Sequence, residues 1–161
     1  MFFWFAGIGF VLVVLVFSSP NVDYRLVMAG AVLPLAEALV GGPWLLHTLL
    51  GSAALLVAVT LATRGRRLAG RRWVGLPIGV FLHLVLDGTW TDAKLFWWPF
   101  LGGSPLGDGP VPELRHVVVS LVLDLVGLAV LVWAWRGFGL DRPGDRERFL
   151  RTGQLPRELF R

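Results

Sequence analysis

The sequence predicts an all-α membrane protein with about five transmembrane helices, and three observations carry the prediction. Apolar residues fill 55% of the 161 positions and charged residues only 16%, against about 45–50% and about 25% in ordinary soluble domains; the mean hydropathy is +0.69. The apolar residues fall into five runs that reach, or nearly reach, the roughly 20 helical residues needed to cross about 30 Å of hydrocarbon. The arginines gather in alternate links between those runs. The same richness in apolar and aromatic side chains excludes disorder. The absence of cysteine removes disulfide scaffolds, thiolate zinc sites and cysteine nucleophiles.

The first run, 2–17, carries no charge. It lacks the positively charged start and the small-residue cleavage motif of a signal peptide, so it is read as a helix that stays in place. The second and fourth runs, 24–40 and 73–88, are short and contain Pro34 and Pro77. Such prolines are tolerated in membrane helices when neighbours satisfy the freed carbonyl. The third and fifth runs are 44–62 and 116–135. Together they form a helical membrane domain over 1–140, followed by a basic tail, 141–161. The tail is expected as a helix on the cytoplasmic membrane surface or as a disordered segment.

Arginine placement sets the orientation. Arg64, Arg66, Arg67, Arg71 and Arg72 lie between the third and fourth runs, and seven more arginines lie from Arg136 to the end. The positive-inside rule puts these links in the cytoplasm and the N-terminus outside. Trp4, Trp44, Trp90, Trp97 and Trp98 then fall at outer ends and Trp73, Trp133 and Trp135 at inner ends, the pattern of interfacial anchors. A net charge of +4 carried beside membrane ends fits anionic headgroups, and no nucleic-acid contact is expected. The expected partner is the lipid bilayer.

Ionisable groups inside spans cost energy and mark functional sites by default. Here they are Glu37, His47, His83, Asp87, His116 and Asp124. In the topology above, all but Asp124 lie within about two helical turns of the outer face, whereas Asp124 lies about 12 Å below His116 by helical rise. It is expected as a buried hydrogen-bond partner or a proton-relay group. His83 and Asp87 are spaced i, i+4, on one helix face. With His47 they make a two-His, one-carboxylate set of the kind that holds a catalytic divalent ion and leaves a position for water. Glu37, Asp92 or His116 could add a ligand or a general base. The alternative for the pair is a helix hydrogen bond without metal. The loop from Gly88 to Glu113 is long and dense in aromatics. It is expected to cap the helix ends and to bring Asp92 and Lys94 near the cluster, or else to be an interfacial segment with no chemistry.

Two strings carry a family resemblance: AGAVLPLAEALVGGPWLLHTLLGS (29–52) and GVFLHLVLDGTWTDAKLFWWPFLG (79–102). Leu33-Pro34, then His47-Thr48, then His83 with Asp87, then Trp98-Pro99-Phe100, in that order, resemble the pattern of the YdjM-like family of bacterial inner-membrane, metal-dependent hydrolases. The resemblance covers roughly 23–102. It implies a multi-pass protein of the cytoplasmic membrane with a divalent ion, zinc being the expected one, at His47, His83 and Asp87. One departure stands out: the family usually has Asp directly after Leu-Pro, where this chain has Leu35, and Glu37 is the nearest acidic residue.

The expected function is therefore metal-dependent hydrolysis at the outer membrane face, possible substrates including a lipid phosphoester or another amphiphilic small molecule. Glu37 and Asp92 are the candidate catalytic carboxylates, and Lys94, Trp97 and Trp98 the candidate substrate contacts. The alternative is a non-catalytic membrane scaffold or an accessory subunit of an envelope complex. A transporter is disfavoured by five spans with no clear inverted repeat.

Overall fold

The computed structural model describes residues 1–102 and 117–160, and among them every regular element is helical. The helices are α1 (Phe2–Phe17), α2 (Tyr24–Val32), α3 (Leu49–Ala62), α4 (Arg67–Trp73), α5 (Gly75–Leu86), α6 (Ala93–Phe96), α7 (Val117–Gly137) and α8 (Pro143–Thr152). Among the described residues only α7, with 21 residues, is long and apolar enough to cross a membrane; α1 and α3 are apolar but shorter.

The expected runs are broken where their prolines and glycines dictate. The run 24–40 is not one α-helix: α2 ends at Val32 and a 3-10 helix follows over Leu33–Val40. Pro34 cannot donate to the preceding turn and its ring crowds that turn's carbonyl. The tighter winding has three residues per turn, and burial follows it: Ala31, Pro34 and Glu37 are buried while Leu33, Ala36 and Leu39 are exposed. Gly41, with φ of 101°, ends the segment in a left-handed conformation. The run 44–62 opens with a short 3-10 turn over Leu45–His47, after which Thr48 caps α3 by accepting from the Gly51 amide at 2.9 Å. In the run 73–88 the helix proper starts at Gly75. Pro77 sits in its first turn, where amides have no intrahelical acceptor and a missing N–H costs nothing.

Contacts fix the relative directions. Phe3 and Trp4 meet Asp124, and Phe10 meets Phe138, so α1 and α7 run the same way. Gly75 approaches Asp23 and Val27 while His83 reaches Ala31, so α2 and α5 run together, opposite to α1. The α2–α5 crossing is close. A Cβ on Gly79 would stand 2.2 Å from the Val27 carbonyl oxygen, and one on Gly30 would stand 2.1 Å from that of Leu76. Small residues let helix backbones approach this tightly.

At one end of this bundle lies an apolar core that includes Phe10, Val13, Tyr24, Leu140, Phe149 and Leu155. The tail, expected as a surface helix or disordered, turns back to build it. Its Gly153 carbonyl accepts from the Tyr24 amide at 2.9 Å, and Arg25 donates to the Leu150 carbonyl. The arginine-rich segments meet here too, with Arg25 and Arg72 at 2.8 Å and 3.7 Å from the buried Asp23 carboxylate. The histidines lie at the other end.

Candidate metal centre

His47, His83 and Asp87 converge: the i, i+4 spacing pairs the last two, and His47 joins them from the segment before α3. One ligand atom from each lies within 4.8 Å of the others. Asp87 Oδ2 is 3.6 Å from His47 Nε2 and 3.7 Å from His83 Nε2, and all three side chains are fully buried. Nitrogen and oxygen ligands about 2.0–2.1 Å from a tetrahedral zinc ion stand about 3.4 Å apart, so these two edges come close to what the ion needs.

Each ligand atom is aimed by a bond on the far side of its own group. Pro34 has no N–H to offer the carbonyl three residues back, that of Ala31, and His83 Nδ1 donates to this oxygen at 2.7 Å. A carbonyl acceptor assigns the proton to Nδ1 and leaves the Nε2 lone pair toward Asp87. His47 Nδ1 donates to Glu37 Oε2 at 2.7 Å, which turns its Nε2 the same way. Glu37 is itself fixed: Oε2 also accepts from the Trp44 amide and Oε1 from the Leu46 amide, both at 2.7 Å. The 3-10 winding that buries Glu37 and the turn ahead of α3 create this cradle. A carboxylate behind a metal-binding imidazole sets its tautomer and raises its basicity. Asp87 Oδ1 accepts from the Thr89 amide at 2.6 Å and from the Thr89 hydroxyl, which turns Oδ2 to the histidines. Phe5 stacks on His83 with ring centroids 4.0 Å apart, and the two imidazoles meet edge to face at 5.2 Å.

The electrostatics favour a cation. Two buried carboxylates, Glu37 and Asp87, stand beside the two imidazoles. Buried charges persist only when paired or when they coordinate metal. Two histidines with one carboxylate form a group that could hold a metal ion.

The remaining candidates are placed elsewhere. Asp92 is exposed and caps α6, accepting from the Leu95 amide at 3.3 Å. Lys94 and Trp97 are exposed on and just after α6, and Trp98 is half-buried. His116 lies outside the described residues, as does the part of the aromatic loop beyond Gly102. Asp124 is not part of the cluster: its Oδ1 accepts from the amides of Phe3 and Trp4 at 2.6 Å and 3.2 Å. Thr89, Phe5 and the Ala31 carbonyl were not read from the sequence. Of these, Thr89 had a signal, since an Asp two residues before a threonine, with Gly between, favours a side-chain-to-amide turn.

No family model, curated protein or solved structure matches the chain.

Proposed function

We propose that the protein is a membrane-embedded, metal-dependent hydrolase whose ion is held by His47, His83 and Asp87, with zinc the best fit to this donor set. The observation that carries the reading is the convergence of three buried ligand atoms, each aimed by a bond on its far side. A divalent ion at such a site lowers the pKa of a bound water and polarises a phosphoryl or carbonyl oxygen. Glu37 acts as a positioning residue for His47. Lys94 and Trp97, exposed beyond Asp87, are the proposed contacts for an anionic, amphiphilic substrate such as a lipid phosphoester.

The membrane assignment rests on the apolar surface. Val118, Leu125 and Leu121 on α7 and Leu61 on α3 are each at least 60% exposed, and large apolar side chains exposed along a helix mark contact with lipid or protein. The gathering of arginines at the end opposite the histidines supports an outward-facing site in a multi-pass protein of the cytoplasmic membrane. The resemblance to the YdjM-like hydrolases over 23–102 points the same way.

Metal content of detergent-purified protein tests the reading. Wild type is expected to carry close to one equivalent of zinc or a similar ion, and His83→Ala to lose it while remaining folded. A wild type that stays metal-free after incubation with divalent ions overturns the proposal.

A further inference from the structure

An apolar groove of about 470 Å³ runs between α1, α3 and α5, lined among others by Leu12, Val16, Ser52, Leu56, Pro77 and Phe81. Its volume lies in the range of about 300–1,000 Å³ typical of small-molecule pockets. Its relation to the histidine–aspartate centre is systematic. On α3 the lining starts at Leu49, two residues after His47. On α5 it ends at Leu82, beside His83. On α1 it starts at Leu12, two turns beyond Phe5, the ring that stacks on His83. On all three helices the groove thus leaves the centre in the same direction, and it extends about 10 Å along them at 1.5 Å per residue. Its rim is open sideways: Val16 is 73% exposed, Phe81 45% and Leu56 42%.

We propose that this groove holds one acyl chain of the substrate, with the headgroup phosphoester toward the metal centre, so that the substrate is a membrane lipid rather than a water-soluble phosphoester. The word substrate rests on the hydrolase reading; the groove's occupancy does not. The wall offers an almost unbroken hydrocarbon surface, with Ser52 as its polar member among the lining residues. A chain lying in it buries its methylenes against Leu, Val and Phe side chains. An open side lets a lipid enter laterally, without leaving the bilayer. Along the chain, the lining residues nearest the centre are Leu49 and Leu82, two residues from His47 and one from His83.

The test is photolabelling in vesicles. The probe is a phosphatidylglycerol carrying a diazirine midway along one acyl chain, with adducts mapped by peptide mass spectrometry. Label is expected to concentrate on groove residues such as Leu12, Leu56 and Phe81, several-fold above the outward face of α7 at Val122 and Leu125. Ala53→Trp should abolish that excess: Ala53 lines the groove from an exposed position, so a large ring there fills the groove without displacing packed side chains. Leu56→Trp provides a second blocked variant. Label spread evenly over the groove and α7, absence of label from the groove, or an excess that survives both substitutions overturns the proposal. Running His83→Ala in parallel separates the two readings. Groove label retained in wild type and variant without metal in either leaves the groove standing and removes the hydrolase; metal without groove label does the reverse.

Discussion

The two ends of the helical bundle are built from opposite materials. At one end Phe10, Tyr24, Leu140, Phe149 and Leu155 close an apolar core, sealed by the folded-back tail. At the other, Glu37, His47, His83, Asp87 and Thr89 pack polar atoms as deeply as the first end packs rings. The apolar end gains stability from every buried methylene. The polar end cannot, because each buried polar atom must first recover what it lost on leaving water. Its hydrogen bonds serve direction: those of His47 to Glu37, of His83 to the Ala31 carbonyl and of Thr89 to Asp87 lie on the far side of a candidate ligand atom. On the proposed reading stability belongs to one end and chemistry to the other, and substitutions should separate them.

The largest expected effect is on stability at the apolar end. Phe149 is 4% exposed and packs tilted against Phe10 and edge to face with Trp135. Truncating a buried phenylalanine costs about 3–5 kcal/mol. Phe149→Ala should therefore lower the unfolding midpoint in detergent sharply, while the protein that stays folded keeps the metal content of wild type. Loss of metal at unchanged stability would break the division of labour.

The next effect is on metal affinity at the polar end. Glu37→Gln replaces the carboxylate behind His47 with an amide that can still accept from one backbone N–H. Removing such a partner weakens metal binding about 10–100-fold. A chelator-competition titration should show that loss, with stability lowered by the about 1–3 kcal/mol that one backbone amide left facing the Gln NH2 costs. Equal affinity in the two proteins would mean that Glu37 only braces the turn before α3.

The sequence disclosed the cast of the centre better than its staging. Histidines and acids stand out in apolar runs, and the i, i+4 spacing of His83 and Asp87 survives at the end of α5, so the group that could hold a metal ion was legible. The role of Glu37 was not. Its bond to His47 spans ten residues of irregular backbone, and an α-helical reading of 24–40 places its side chain on a different face from the 3-10 winding that Pro34 brings. The tail hid its fold for another reason: Phe149 and Leu155 sit singly in a charged stretch, and what buries them are rings contributed by α1, α2 and the segment after α7. The order of helices along the chain was legible from hydropathy, whereas their close crossings depend on backbone-to-backbone approach at Gly30 and Gly79, which glycine content alone does not locate.

Asp124 brings the two ends into one comparison, because its depth in an apolar helix suggests chemistry while its contacts describe support. α7 is largely exposed, with Gly127 and Ala134 buried against its neighbours. Its carboxylate reaches the start of α1, a helix whose own N-cap residue supplies no side-chain bond, and accepts from the amides of Phe3 and Trp4. A helix start carries unsatisfied N–H groups and partial positive charge, so a carboxylate there is favourable. Removing a capping side chain costs about 1 kcal/mol. Asp124→Ala should cost that much and leave metal content as in wild type, since Phe5, the α1 residue against His83, lies beyond the capped amides. Asp124→Asn keeps an oxygen to accept those bonds and should recover most of the stability. A proton-relay role predicts the contrary pattern: both substitutions would stop turnover, and neither would move the unfolding midpoint.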